Sequence, residues 1–119
     1  MNQFKYIEEG KRPWGKYFVI QESNDYKIKK IEVKPGARLS YQLHNKRSEV
    51  WFIIKGNGNV IIDSIKHKYK KGDIFQIPVT SKHRIENTGS NVTVLIEVQT
   101  GTYFGEDDII RIQDDYNRI

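Results

Sequence analysis

KPGARLSYQLHNKRSEVWFIIKG, from Lys34 to Gly56, is the stretch whose pattern decides the fold. It opens on the turn pair Pro35-Gly36 and runs into a second turn at Gly56-Asn57-Gly58. Between the turns lie two short runs of alternating character. On Leu39 to His44, Ser40, Gln42 and His44 share one face, while Leu39, Tyr41 and Leu43 share the other. On the next run, Glu49 to Lys55, Glu49, Trp51 and Ile53 share a face. Successive side chains of a strand point to opposite sides, so a period of two reads as strand rather than helix.

The same reading extends outward. Turn residues recur at Pro13-Trp14-Gly15, Ser23-Asn24-Asp25, Gly72-Asp73 and Asn87 to Asn91. Runs rich in Val, Ile, Tyr and Phe lie between them. Besides the two above, strands are expected at Tyr17 to Gln21, Tyr26 to Val33, Asn59 to Asp63, Lys66 to Tyr69, Asp73 to Ile77, His83 to Asn87 and Val92 to Gln99. Many short strands at this spacing, with no helical period among them, indicate an all-β antiparallel sandwich or barrel. The start before Tyr17 is expected to lie across the outside, and the tail from Gly105 to be irregular.

The chain has 119 residues, the size of one domain. It has no cysteine, which excludes disulfides, thiolate metal sites and a cysteine nucleophile. No apolar run reaches the length of a membrane span, and MNQFKYIEEGKR lacks the apolar stretch of a signal peptide. A soluble, cytoplasmic protein without a membrane partner is therefore expected. Twenty Lys and Arg against fifteen Asp and Glu give a net charge of +5, which favours an anionic partner. The basic residues are dispersed, and the segment from Gly105 to Ile119 is mainly acidic, so no nucleic-acid surface is expected. The lysines of IKHKYKK, from Ile65 to Lys71, read as a solvated strand face that discourages edge pairing.

Three strands each send a metal-capable side chain to one face. Gln42 and His44 stand two apart, Glu49 enters after a short turn, and His83 comes from a later strand. Two imidazoles, a carboxylate and an amide oxygen form a mixed N/O set suited to a divalent ion. A lone histidine on a strand is more often structural, and His67 within the lysine run is read that way. His44 and His83 differ because each sits in a spaced block. Gln-x-His is followed by Glu49 and Gly56, while Gly72 and Pro78 precede His83 and Asn87.

These two blocks resemble the paired motifs of the cupins, whose fold is a small β-barrel, the double-stranded β-helix or jelly roll, with a metal inside. RPWGKY (Arg12 to Tyr17), the Lys34 to Gly56 stretch, KHRIEN (Lys82 to Asn87), LIEVQTGTYFGEDDIIRIQDDY (Leu95 to Tyr116) and Arg118 resemble one branch more closely. That branch is the cupin-type mannose-6-phosphate isomerases, which also occur as the C-terminal domain of bifunctional isomerase/mannose-1-phosphate guanylyltransferases. The resemblance divides residues 1–119 into an N-terminal extension (1–15), a barrel (16–99) and a family-specific tail (100–119), all one domain. The chain departs from the pattern at Lys46, where the family commonly has His, and at Asn117, where it commonly has Gly. Lys46 is expected to add positive charge near the mouth. The guanylyltransferase half is not among these residues, and no nucleotidyl transfer is expected of them.

The resemblance implies an aldose–ketose isomerase interconverting mannose 6-phosphate and fructose 6-phosphate through an enediolate. One divalent ion would stabilise its charge, zinc first, with manganese, cobalt or iron as alternatives. Such an activity supplies precursors for mannose-containing polysaccharides or nucleotide sugars. Glu49 is taken as a ligand, so another group must move the proton. By spacing from the ligands, Lys29 and Arg47 resemble basic residues of the larger phosphomannose isomerases, and Glu97 is a third candidate. Lys29 would serve as a base only if burial lowered its pKa. Arg47 stays protonated and suits an oxyanion or phosphate better. Arg111 and Arg118 in the tail are the phosphate candidates, with Tyr103 and Asp108 expected to anchor that tail and Arg84 expected to be structural. A homodimer is also implied. Two other readings remain open, a non-catalytic sugar- or metal-binding cupin that partners a separate guanylyltransferase, and an iron oxygenase. Gln42, standing where the oxygenases have histidine, counts against the last.

Overall fold

The computed structural model describes residues 4–119. Among them are eleven strands and no helix: β1 (Glu8–Arg12), β2 (Gly15–Glu22), β3 (Tyr26–Val33), β4 (Tyr41–Leu43), β5 (Arg47–Lys55), β6 (Gly58–Ile62), β7 (Ile65–Tyr69), β8 (Ile74–Ile77), β9 (His83–Asn87), β10 (Thr93–Gly101) and β11 (Ile110–Gln113). They form two antiparallel sheets, in the orders β1-β2-β3-β10-β5-β8 and β11-β4-β9-β6-β7. Past β3 the chain changes sheet at every step except the β6–β7 hairpin. One core holds residues of both sheets, including Trp51, Ile53 and Leu95 from the first and Val60, Tyr69 and Ile85 from the second.

Each of the nine expected runs contains a strand, although Leu39 to His44 is one only from Tyr41 to Leu43. Two further strands lie outside them. Glu8–Arg12 reads as EEGKR, with no apolar residue, and becomes a strand by pairing with β2 from Glu8↔Val19 to Arg12↔Gly15. The tail, expected to be irregular, contains β11, whose Arg111 pairs with Gln42 of β4. Both are edge strands, created by a neighbour's free hydrogen-bonding groups rather than by their own composition.

Turn chemistry sets where the strands begin. Gly36 has a φ of 77° and Ala37 N–H donates to the Lys34 carbonyl at 3.1 Å. Gly72 has a φ of 90° in a matching turn, closed by Asp73 N–H on the Lys70 carbonyl. A positive φ at the third residue of such a turn is strained for a residue with a side chain and free for glycine. Asn117, standing where the resemblance has glycine, has a φ of 57°. Asparagine is the side-chain-bearing residue that tolerates that region best.

The inner face of the first sheet is layered by its register. Ile31, Leu95 and Ile53 stand side by side across β3, β10 and β5. The next inward row is Lys29, Glu97 and Trp51, and the one after that is Lys27, Gln99 and Glu49. All nine side chains are buried. The inner face of this sheet therefore passes from an apolar row to rows that carry buried polar and charged side chains.

Candidate metal centre

His44 follows directly on β4, Glu49 lies inward on β5, and His83 opens β9. Their exposures are 3%, 3% and 1%. Each imidazole is fixed through its Nδ1, that of His44 at 2.7 Å from the Asp108 carbonyl and that of His83 at 2.8 Å from the Ser81 carbonyl. A carbonyl can only accept, so both rings carry their proton on Nδ1 and present a bare Nε2. Both bare nitrogens face one carboxylate: His44 Nε2 is 3.4 Å from Glu49 Oε2, and His83 Nε2 is 3.8 Å from Glu49 Oε1.

Burial, and then the Arg47 charge, push the His44 pKa down to about 4. Burial likewise pushes His83 down. The imidazoles are thus neutral at neutral pH, the form a metal requires. His83 Nε2 is buried and has no hydrogen-bond partner, and such a group ordinarily finds one. Four ligands about 2.1 Å from an ion in a tetrahedron lie about 3.4 Å from one another. The ligand atoms of these three groups all lie within 4.8 Å of one another, close enough to approach one ion together. His44, Glu49 and His83 are a candidate metal site. Glu49 is itself held by Trp51 Nε1–H at 2.9 Å and Arg47 Nε–H at 3.0 Å. Gln42, the fourth expected ligand, lines one cavity with His44 and Glu49 and pairs with His83 in the β4–β9 register, and its amide oxygen accepts from Ser40 at 2.7 Å.

The other expected site residues also reach this cavity. Lys29, Arg47, Glu97, Arg111 and Arg118 all line it. Arg47 is buried, and its second amine lies 3.3 Å from His44 Nε2. Burial works against the charge of Lys29, but Glu97 and Glu106 together hold its pKa above the usual value. Lys29 is therefore a charged donor, paired with Glu106, and the condition for its acting as a base is not met. Glu97 is pushed up to about 7, first by burial and then by the nearby Glu49 carboxylate. Its Oε1 accepts from Gln99 at 2.6 Å.

The tail folds over this end. Asp108 accepts from the backbone N–H groups of Asn45 at 3.0 Å and Lys46 at 2.9 Å, besides offering its carbonyl to His44. Tyr103 does less than expected: its hydroxyl donates to Asp107 within the tail, and its ring lies under the Lys46 ammonium. Lys46 is turned toward that ring and does not line the cavity. Arg84 donates to the Leu39 carbonyl at 3.0 Å and to Gln113 at 2.7 Å, tying β9 to the tail. Sequence reasoning missed the orienting partners Trp51, Ser81 and Glu106, and the cavity-lining Arg12. Main-chain carbonyls leave no trace in residue identity. Trp51 sharing an inward face with Glu49 was the one readable signal.

Comparison with known proteins matches residues 1–114 to the family described as "Mannose-6-phosphate isomerase C-terminal". The alginate biosynthesis protein AlgA of Pseudomonas aeruginosa is 42% identical over 107 residues, covering 90% of this chain and 22% of that protein. A mannose-1-phosphate guanylyltransferase of Klebsiella pneumoniae is 37% identical over 117 residues, covering 98% of this chain and 25% of that protein. The chain thus spans about a quarter of the length of the curated relatives it matches. Among solved structures, a conserved Klebsiella pneumoniae protein with a double-stranded β-helix domain superposes with a TM-score of 0.70 at 21% identity, covering 79% of this chain and 80% of that one. The fold is the double-stranded β-helix expected. No helix among the described residues is long and apolar enough to cross a membrane.

Proposed function

The chain belongs to the mannose-6-phosphate isomerase C-terminal family, and from that membership we propose that it is a metal-dependent isomerase of mannose 6-phosphate and fructose 6-phosphate. The observation that supports this most is the pair of imidazoles whose Nε2 atoms converge on Glu49, one of them without a partner. His44, Glu49 and His83 would hold the ion, with Gln42 as the fourth donor. A divalent ion there supplies electrophilic stabilisation for the negative charge that develops when a proton leaves C2 of the open-chain sugar.

The chain's own residues account for the rest. Arg47 lies against Glu49 and His44, where its fixed charge would stabilise the same oxyanion. Lys29, held charged by its carboxylate neighbours, would donate a hydrogen bond to a sugar oxygen. Glu97 is the group we assign to carry the proton between C2 and C1. It lines the cavity beside both, and its side-chain hydrogen bond is to the Gln99 amide rather than to a cation. Trp14, Ile31 and Trp51 line the same cavity, where they would shield the reacting carbons from water. The expected homodimer belongs to this proposal, with the exposed Val50, Phe52, Ile54 and Ile74 of β5 and β8 as its contact; a mass of 14.0 kDa by light scattering would remove it.

The second reading, a non-catalytic cupin partnering a guanylyltransferase, is favoured by the name of the Klebsiella pneumoniae relative. Turnover separates the two. The test is a coupled assay of mannose 6-phosphate and fructose 6-phosphate interconversion on chelated protein resupplied with zinc, manganese, cobalt or iron. Activity that returns with metal and is absent in His44→Ala supports the isomerase. Bound metal without turnover transfers the case to the partner reading.

A further inference from the structure

Gln99 is fully buried on β10, yet neither the candidate ligands nor the groups proposed to meet the sugar include it. It stands two residues from Glu97, so both side chains point into the barrel from one strand. In the row order Glu97 lies between Lys29 of β3 and Trp51 of β5. Both flanking donors are committed elsewhere. The Lys29 ammonium is paired with Glu106, and Trp51 Nε1–H donates to Glu49 Oε1 at 2.9 Å. Arg47 Nε–H, the next donor, goes to Glu49 Oε2 at 3.0 Å. What holds Glu97 is the Gln99 amide, whose Nε2–H donates to Glu97 Oε1 at 2.6 Å.

The other half of that amide is unused. Gln99 Oε1 is buried and has no hydrogen-bond partner, and an orphaned buried acceptor costs about 1–3 kcal/mol. An apolar side chain of the same length would fill the space without one, so packing alone does not call for an amide here. The bond also makes the two oxygens of Glu97 different. An amide N–H donates and cannot accept, so Oε1 is bare whenever the bond is made. A proton on this carboxyl group is then on Oε2, which accepts from no N–H group among the described residues. The amide fixes the carboxyl group without bringing a charge to it, as Lys29 or Arg47 would.

We infer that Gln99 is a positioning residue, which fixes the Glu97 carboxyl group by its Oε1 and leaves Oε2 to carry the proton between C2 and C1 of the sugar. This rests on the isomerase proposal and extends it to a residue that does not line the cavity. The step balances within the sugar. The proton that leaves C2 for Oε2 returns at C1, and the proton of the C2 hydroxyl passes to the oxygen on C1. One carboxyl oxygen has to reach two adjacent carbons in turn. A carboxyl group turning about its last bond would present either oxygen, and misplacing a reacting group by about 1 Å costs about a hundredfold in rate.

The test is kinetic, on the full chain saturated with the ion that restores turnover. Gln99→Met keeps the length of the side chain and removes the amide. Its kcat should fall about thirty- to a hundredfold, with KM within about twofold of wild type. Gln99→Asn, whose amide is one methylene too short to reach Glu97, is the second variant and should lose kcat in the same way. Thermal melts establish that each variant is folded, and zinc affinity, read by competition against a chelator, should be unchanged. Because Gln99 acts through Glu97, the double variant of Glu97→Gln with Gln99→Met should be no slower than Glu97→Gln alone. A kcat within about twofold of wild type in Gln99→Met, or losses that multiply in the double variant, would overturn the positioning role and leave the isomerase standing. A fall in zinc affinity that accounts for the fall in kcat would also overturn it, assigning Gln99 to Glu49, its partner in the β10–β5 register. A wild-type chain that binds zinc and interconverts neither sugar with any ion would remove the isomerase, and the role of Gln99 with it.

Discussion

Replacing Asp108 with alanine should loosen both the fold and the metal centre, and the two effects are measured separately. The Asp108 carboxylate is buried and accepts from Asn45 N–H at 3.0 Å and Lys46 N–H at 2.9 Å. Hydrogen bonds to a charged acceptor contribute about 1.5–3 kcal/mol each. Asn45 and Lys46 are exposed, so water replaces part of what is lost, and about 2–3 kcal/mol for the two together is the expected cost. At about 2.1 cal/mol/K per residue, 119 residues give an unfolding entropy near 0.25 kcal/mol/K, so Tm should fall by about 8–12 °C. Alanine keeps the main-chain carbonyl that accepts from His44 Nδ1, but no longer holds it at 2.7 Å. Loss of such an orienting partner lowers metal affinity about ten- to a hundredfold. Thermal melting followed by circular dichroism reads the first effect, and zinc competition against a chelator reads the second. Burial opposes the Asp108 charge, yet the two N–H groups hold its pKa below the usual value. A depressed folded pKa stabilises above the unfolded value of about 3.9 and is lost as pH falls through the folded one. The gap in Tm should therefore be full at pH 6 and close below about pH 4. A melting point within 2 °C of wild type at pH 6, on the scale set by about 4 °C per kcal/mol, would refute the reasoning.

Three further expectations follow from the same geometry. His83→Ala should lose stoichiometric zinc by elemental analysis, and adding zinc should raise the Tm of the wild type but not of the variant. Ile53 is fully buried in the row with Ile31 and Leu95, so Ile53→Ala should cost about 3–4 kcal/mol in urea titration without changing zinc affinity. Arg118 holds the Asp114 carboxyl down to about 2; the stabilisation is complete above about pH 4 and disappears between there and pH 2. Asp114→Asn should thus melt below wild type at pH 6 and together with it at pH 2.

Most of the barrel was legible because inward and outward residues alternate without ambiguity. Glu49, Trp51 and Ile53 on β5, and His83, Ile85 and Asn87 on β9, are all buried as their spacing requires. The convergence of His44, Glu49 and His83 followed from three such alternations, which put Glu49 in line with Trp51 and Ile53, His83 in line with Ile85 and Asn87, and His44 in line with Ser40 and Gln42. The two edge strands were not legible. EEGKR has no apolar period, and IRIQ in the tail is too short to stand out from its acidic surroundings. Their structure comes from what they pair with. The charge state of Lys29 was hidden for a related reason. It depends on Glu97, directly across the β3–β10 register, and on Glu106, 77 residues away.

The row order on the inner face of the first sheet divides the labour of three strands. Each of β3, β10 and β5 contributes an isoleucine or leucine to the row that holds the sheets together, and polar groups to the rows beyond it. Buried ions such as Lys29 and Glu97 stabilise a protein less than well-packed apolar side chains of the same size would. The polar rows therefore stand at some expense of stability. The apolar row packs into the one core that both sheets share, so an exchange of side chains in the polar rows leaves that packing in place. This makes the barrel a scaffold in which one end can acquire new substrates while the other continues to specify the fold.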